Sequence, residues 1–127
     1  MIDNSAIAEF YKKQLEQIAG NLEAPKFNED MHRNRKLIKI LVYNHKFAGK
    51  ALNGSLDFNT KYLDGLQSRL GEWHDNVVAA ELFSSSEVND KPVAALINKK
   101  NTGVKRVIRS LINDFLKKAT TVEAAAG

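Results

Sequence analysis

The chain has 127 residues, a formal net charge of +4, an apolar fraction of 43% and no cysteine. One domain with one hydrophobic core fits that length. A disulfide framework and any thiol-ligated metal site are excluded, and a bilayer span would need about 20 consecutive apolar residues, which no stretch approaches.

The start, MIDNSAIAEF, lacks the basic end and apolar core of a signal peptide, so a cytoplasmic protein is expected. A first helix is predicted over about Ser5–Gly20, where Ile7, Phe10, Tyr11, Ile18 and Leu22 recur at helical spacing. GNLEAPKF ends it, with Gly20 as a stop and Pro25 unable to continue the turn. Asn28 can cap a second helix, and Glu29 and Asp30 place acid in its first turn, where the dipole favours it. That helix runs to the turn signal NGSLD. A third is predicted over about Asn59–Phe83, with Leu63, Leu66, Leu70, Trp73, Val77 and Ala80 as a bundle seam. Asp90 and Pro92 open a fourth, which reaches about Ala119. Its apolar side holds Val93, Leu96, Ile97, Val104, Val107, Ile108, Leu111, Ile112 and Phe115, and NTG at Asn101–Gly103 could bend it. Residues 120–127 read as a flexible tail. The expectation is an all-α, antiparallel four-helix bundle in one domain, with no strand.

The second helix carries the most informative charge. Between Met31 and Leu56 there are six Lys or Arg residues and no Asp or Glu. At 3.6 residues per turn, His32, Arg35, Lys36, Lys39, Tyr43, Lys46 and Lys50 fall within an arc of about 100°. Leu37, Ile38, Leu41, Ala48 and Leu52 take the other side. Like charges four apart, such as Arg35 with Lys39, destabilise a helix by about 0.2–0.5 kcal/mol per pair, so the absence of interspersed Glu points to a function. The fourth helix has a looser basic side of Lys99, Lys105, Arg106, Arg109 and Lys117, with Asp114 its one acid. The two stripes could border one groove if their helices are neighbours. Arg suits bidentate contact with phosphate oxygens, and Lys acts as a point charge. The plainer alternative is two solvated faces, balanced by acids on neighbouring helices.

His74 has two readings, a buried hydrogen-bonded histidine or a phosphate donor. Asp75 is expected to pair with a base on a neighbouring helix, His45 to be core or interface, Trp73 to be core, and Gly71 to allow close helix approach. The three histidines are not at metal-ligand spacing, so no metal or other cofactor is expected. No serine elbow or Gly-rich phosphate loop suggests an enzyme.

Two stretches resemble the CHAD family, the conserved-histidine α-helical domain. MHRNRKLIKILVY supplies His32, Arg35, Lys36, Lys39 and Tyr43 at the family's spacing. YLDGLQSRLGEWHDNVVAAELF supplies Leu66, Gln67, Leu70, Gly71, Asp75 and the small and aliphatic run Val77–Leu82. The resemblance implies a helical module that binds inorganic polyphosphate along a basic groove. It implies His32, Arg35, Lys36 and Lys39 as contacts, with Arg106 and Arg109 by position; Lys46 and His74 join them from the stripe and the groove wall. Val42 stands where the family has an Arg before Tyr, which removes one expected contact. A full CHAD domain has two four-helix repeats and this chain has room for one, so a homodimer is expected to restore the pair. One alternative is a histidine phosphotransfer domain with His32 as phosphoacceptor, although Lys36 would crowd the position that such domains fill with Gly. Another is non-specific nucleic-acid binding, for which only Tyr43 among the aromatics interleaves with the stripe.

Overall fold

The computed structural model describes residues 4–52 and 56–122. The first three residues of NGSLD, the tail beyond Val122 and the side chains of Lys50 and Ala51 lie outside the described residues. The helices are α1 (Asn4–Leu22), α2 (Glu29–Leu52), α3 (Thr60–Ser84), α4 (Lys91–Ile112) and a short α5 (Phe115–Ala119). No strand occurs among the described residues.

The helix starts form for local reasons. Asn28 Oδ1 accepts from the Asp30 amide at 2.9 Å, Asn59 Oδ1 from the Tyr62 amide at 3.0 Å and Asp90 Oδ1 from the Val93 amide at 3.2 Å. Each satisfies an amide that the helix itself leaves unpaired.

Consecutive helices run antiparallel. Tyr11 donates to the Leu41 carbonyl and Asn21 to Asn34 between α1 and α2. Tyr62 donates to the Leu111 carbonyl between α3 and α4. Leu15, Ile18, Ile38, Leu63, Leu66, Leu70 and Ile108 are fully buried between them, and Trp73 and Phe115 nearly so. Val77 and Leu111 are partly buried against that core. Phe10, Leu96 and Val107, which the spacing puts on apolar sides, are exposed.

The predicted fourth helix is two. Asn113 is extended, Asp114 takes a left-handed conformation (φ 55°), and α5 begins at Phe115. Asp tolerates that conformation better than most residues. The break returns Phe115 and Ala119 to the core. α5 packs against α1 and α3, and the Ala119 carbonyl accepts from the Asn59 amide at 2.8 Å.

The NTG segment does not interrupt α4. Asn101 is buried there, donating to the Trp73 carbonyl at 3.2 Å and accepting from Asn76 at 3.2 Å. Asn101→Ala strands these partners, so it is expected to cost about 2 kcal/mol. Thermal denaturation should show a Tm lower by roughly 5–10 °C.

Candidate functional site

α2 turns Ile38, Leu41, Ala48 and Leu52 into the core and leaves its basic side outside. Its antiparallel register on α3 sets His32 opposite His74, Arg35 opposite Gly71 and His45 opposite Thr60. The first two pairings build a site. The third is structural: His45 stacks on Phe58 at 4.8 Å and its Nδ1 lies 3.3 Å from the Thr60 hydroxyl.

The His32 and His74 rings are stacked, with centroids 3.6 Å apart and planes 10° from parallel. Two imidazolium charges at that distance repel strongly. Burial lowers the His32 pKa from its ordinary value of 6.5, and His74, Lys36 and Arg35 lower it further against a weaker opposite pull from Glu29. His32 is therefore mainly neutral near pH 7. The unfolded chain takes up this proton first as pH falls through about 6.5, so His32 makes the fold less stable on acidification. Melting temperatures measured from about pH 7.5 to 5.5 should fall less steeply for His32→Asn than for the parent chain.

Arg35 lies flat on α3. A Cβ at Gly71 would stand 2.9 Å from Arg35 Nε and 3.1 Å from Nη2. The absent side chain admits a guanidinium, where the spacing alone suggested close helix approach. Arg35 Nε, His32 Nδ1 and Trp73 Nε1 are buried without a hydrogen-bond partner among the described residues. Lys36 and Lys39 continue the row in solvent. Lys46 sits 5.2 Å from the Tyr43 ring centroid and 4.9 Å from that of Phe47. Val42, in place of the family's Arg, packs against the core.

The cations of α4 go elsewhere. Among the described residues, α3 packs on both α2 and α4, which do not pack closely on each other. The two stripes are therefore not walls of one groove between adjacent helices. Lys105 and Arg109 converge on Phe27 in the α1–α2 loop, at 5.6 and 4.9 Å from its ring centroid. Arg109 also lines a cleft bordered by Ala19, Leu22, Phe115 and Lys117. Arg106 is exposed and, one residue on from Lys105, is turned about 100° from it around the axis. Edge contacts run from Phe27 to Trp73 (5.6 Å) and from Trp73 to His74 (6.1 Å), joining the two cationic clusters through aromatic rings. Sequence patterns place Lys105 on a basic side but give no signal that Phe27 is its seat.

Ion pairing is sparse. Among the described residues only Arg33–Asp30 and Arg69–Glu72 pair, each within one helix and at the surface. Asp75 is exposed and pairs with no base among those residues, contrary to expectation. None of His32, Arg35, Lys36, Lys39, Lys46, His74, Arg106 or Arg109 has an acidic partner within that set. The balancing of the stripe by acids on neighbouring helices is thus not seen. Also among the described residues, no helix is long and apolar enough to cross a membrane.

Comparison with protein families finds the CHAD domain over residues 4–84, which covers α1, α2 and α3. No curated protein and no solved structure matches.

Proposed function

The chain belongs to the CHAD family, and on that premise we propose that it binds inorganic polyphosphate along the exposed side of α2. The row of cations without acidic partners carries this reading. His32 to Lys46 extends roughly 21 Å at 1.5 Å per residue, enough to follow several phosphates of an extended chain. Arg35, set against Gly71, is the half-buried donor of the row, and Lys36, Lys39 and Lys46 are exposed point charges around it. His32 and His74 add donors at the Phe27 end of the row, and an anion beside His32 opposes the lowering of its pKa, so binding strengthens as pH falls towards 6. Lys105 and Arg109 form a second cluster that a long chain could reach around the Phe27 end, with Arg106 at its margin.

In this reading the chain is a binding module and not an enzyme. A phosphoacceptor histidine must leave room for a partner to dock over it, whereas the His32 ring is stacked on His74 and Lys36 stands one turn along the same helix face. Single-stranded nucleic acid is favoured by one observation, the exposed Tyr43 and Phe47 rings beside the stripe. Lys46 lies over both rings, which weighs against base stacking there. We also take the working unit to be a homodimer. A titration with long-chain polyphosphate, with ATP and single-stranded DNA as competitors, tests the assignment. Polyphosphate should bind far more tightly than ATP and resist DNA at equal phosphate concentration. Displacement by DNA on equal terms would reduce the site to general basicity.

A further inference from the structure

α4 carries no Asp or Glu, and two of its cations gather on one aromatic ring. The Lys105 ammonium and the Arg109 guanidinium lie 5.6 and 4.9 Å from the centroid of Phe27. The two stand one turn apart on the same helix, where like charges repel. The ring attracts each cation through its negative face, but it has no net charge to offset theirs. Glu23 and Asp114 line the cleft beside Arg109, and neither pairs with it among the described residues. An anion would complete this arrangement.

Phe27 is a fixed seat. It is packed against the core and meets Trp73 edge-on at 5.6 Å. Trp73 is itself nearly fully buried, and its carbonyl accepts from Asn101. The seat is also close to the end of the α2 row. Ring-to-ring steps of 5.6, 6.1 and 3.6 Å lead from Phe27 through Trp73 and His74 to His32. The two cationic clusters thus stand at one end of the molecule, on helices that do not pack closely together among the described residues. A ligand must be long to touch both.

We infer, on the polyphosphate reading above, that Lys105 and Arg109 gathered by Phe27 are a far anchor for the bound chain, and that this anchor selects polyphosphates long enough to run past the His32 end of α2. Phe27 is the positioning residue, since it acts on the phosphates only through the two cations it seats. Both cations belong to α4, beyond the residues 4–84 that the family match covers.

A chain confined to the α2 row gains only the contacts of that row. Once it is long enough to reach Phe27, the second cluster acts on it at high effective concentration. Affinity then rises in a step, whereas a chain too short to cross the gap gains nothing from the anchor.

The test compares long-chain polyphosphate with tripolyphosphate, which is shorter than the α2 row, by calorimetry on the whole chain in dilute salt. Lys105→Gln with Arg109→Gln should lose about tenfold in affinity for the long chain and less than about twofold for tripolyphosphate. Lys91→Gln with Lys100→Gln removes the same charge from exposed positions of the same helix, and should lose less than about twofold for either ligand. Phe27→Leu keeps an apolar side chain beside Trp73 and every cation, and should lose about threefold for the long chain alone. Melting temperatures of the same samples show that each variant is folded, and the two charge pairs decide the matter if Phe27→Leu is not. An equal loss for both ligands in the Lys105 and Arg109 variant overturns the inference, because the cluster would then be a primary site. An equal loss from the two charge pairs, or no loss from Lys105 and Arg109, overturns it as well. Full long-chain affinity in folded Phe27→Leu overturns the role of the ring. The polyphosphate reading survives all of these results. No binding of long-chain polyphosphate by the parent chain overturns both.

Discussion

Replacing Arg35 and Lys39 together with alanine should weaken polyphosphate binding about a hundredfold, against less than about twofold for Lys12 and Lys13 replaced together. All four residues are cations, so the comparison holds charge constant and varies place. Arg35 is the half-buried cation laid on α3, and Lys39 stands one turn beyond it in the exposed row. Hydrogen bonds to charged groups contribute about 1.5–3 kcal/mol, and tenfold in affinity is about 1.4 kcal/mol, which sets the expected scale. Lys12 and Lys13 are exposed on α1, away from the matched motif. Stability should change little in either pair, because neither loses an ion pair within the described residues. Affinities measured by calorimetry and melting temperatures measured on the same samples check both halves.

Gly71→Ala should move stability and binding in opposite directions. Alanine is favoured over glycine inside a helix by about 0.5–1 kcal/mol. The three atoms nearest the new methyl would all belong to the end of the Arg35 side chain, with Nε at 2.9 Å and Cζ at 3.3 Å. A flexible side chain can move aside at small cost, so the melting temperature should hold or rise slightly. Arg35 would then lose its seat, and polyphosphate affinity should drop about tenfold. A combined loss of stability and affinity would show instead that Gly71 serves helix approach alone. The double variant Gly71→Ala with Arg35→Ala should bind no worse than Arg35→Ala, since both changes act through the same guanidinium.

The parts legible in the sequence are those that local chemistry decides. Asn28, Asn59 and Asp90 announce three helix starts, and the spacing from Leu63 to Trp73 announces the α3 seam. The basic row on α2 is likewise a property of one helix. What escaped depends on how helices meet. Leu111 and Phe115 are four apart, a helical spacing, so nothing in the pattern betrays the break at Asp114. Its cause is tertiary, the return of Phe115 and Ala119 to the core beside α1. The helical wheel of α2 cannot place His32 on His74, because that contact is set by the register between α2 and α3. Nor can it separate Lys105 and Arg109 from the α2 row. Phe27 reads as the end of a loop, yet it becomes the ring beneath those two cations. Asp75 marks the reverse error: a motif acid suggests an ion pair, and it stands exposed without one among the described residues.

The α2 row should bind polyphosphate through many weak charge contacts. An isothermal titration with long-chain polyphosphate, repeated at rising salt, tests that most directly. By analogy with nucleic acids, log affinity should fall linearly with log salt, with a slope of about −0.7 per phosphate neutralised on a single chain. Four or more cations acting together therefore give a slope of about −3 or steeper. No binding in dilute salt by the folded protein, or binding that salt leaves unchanged, would contradict the account.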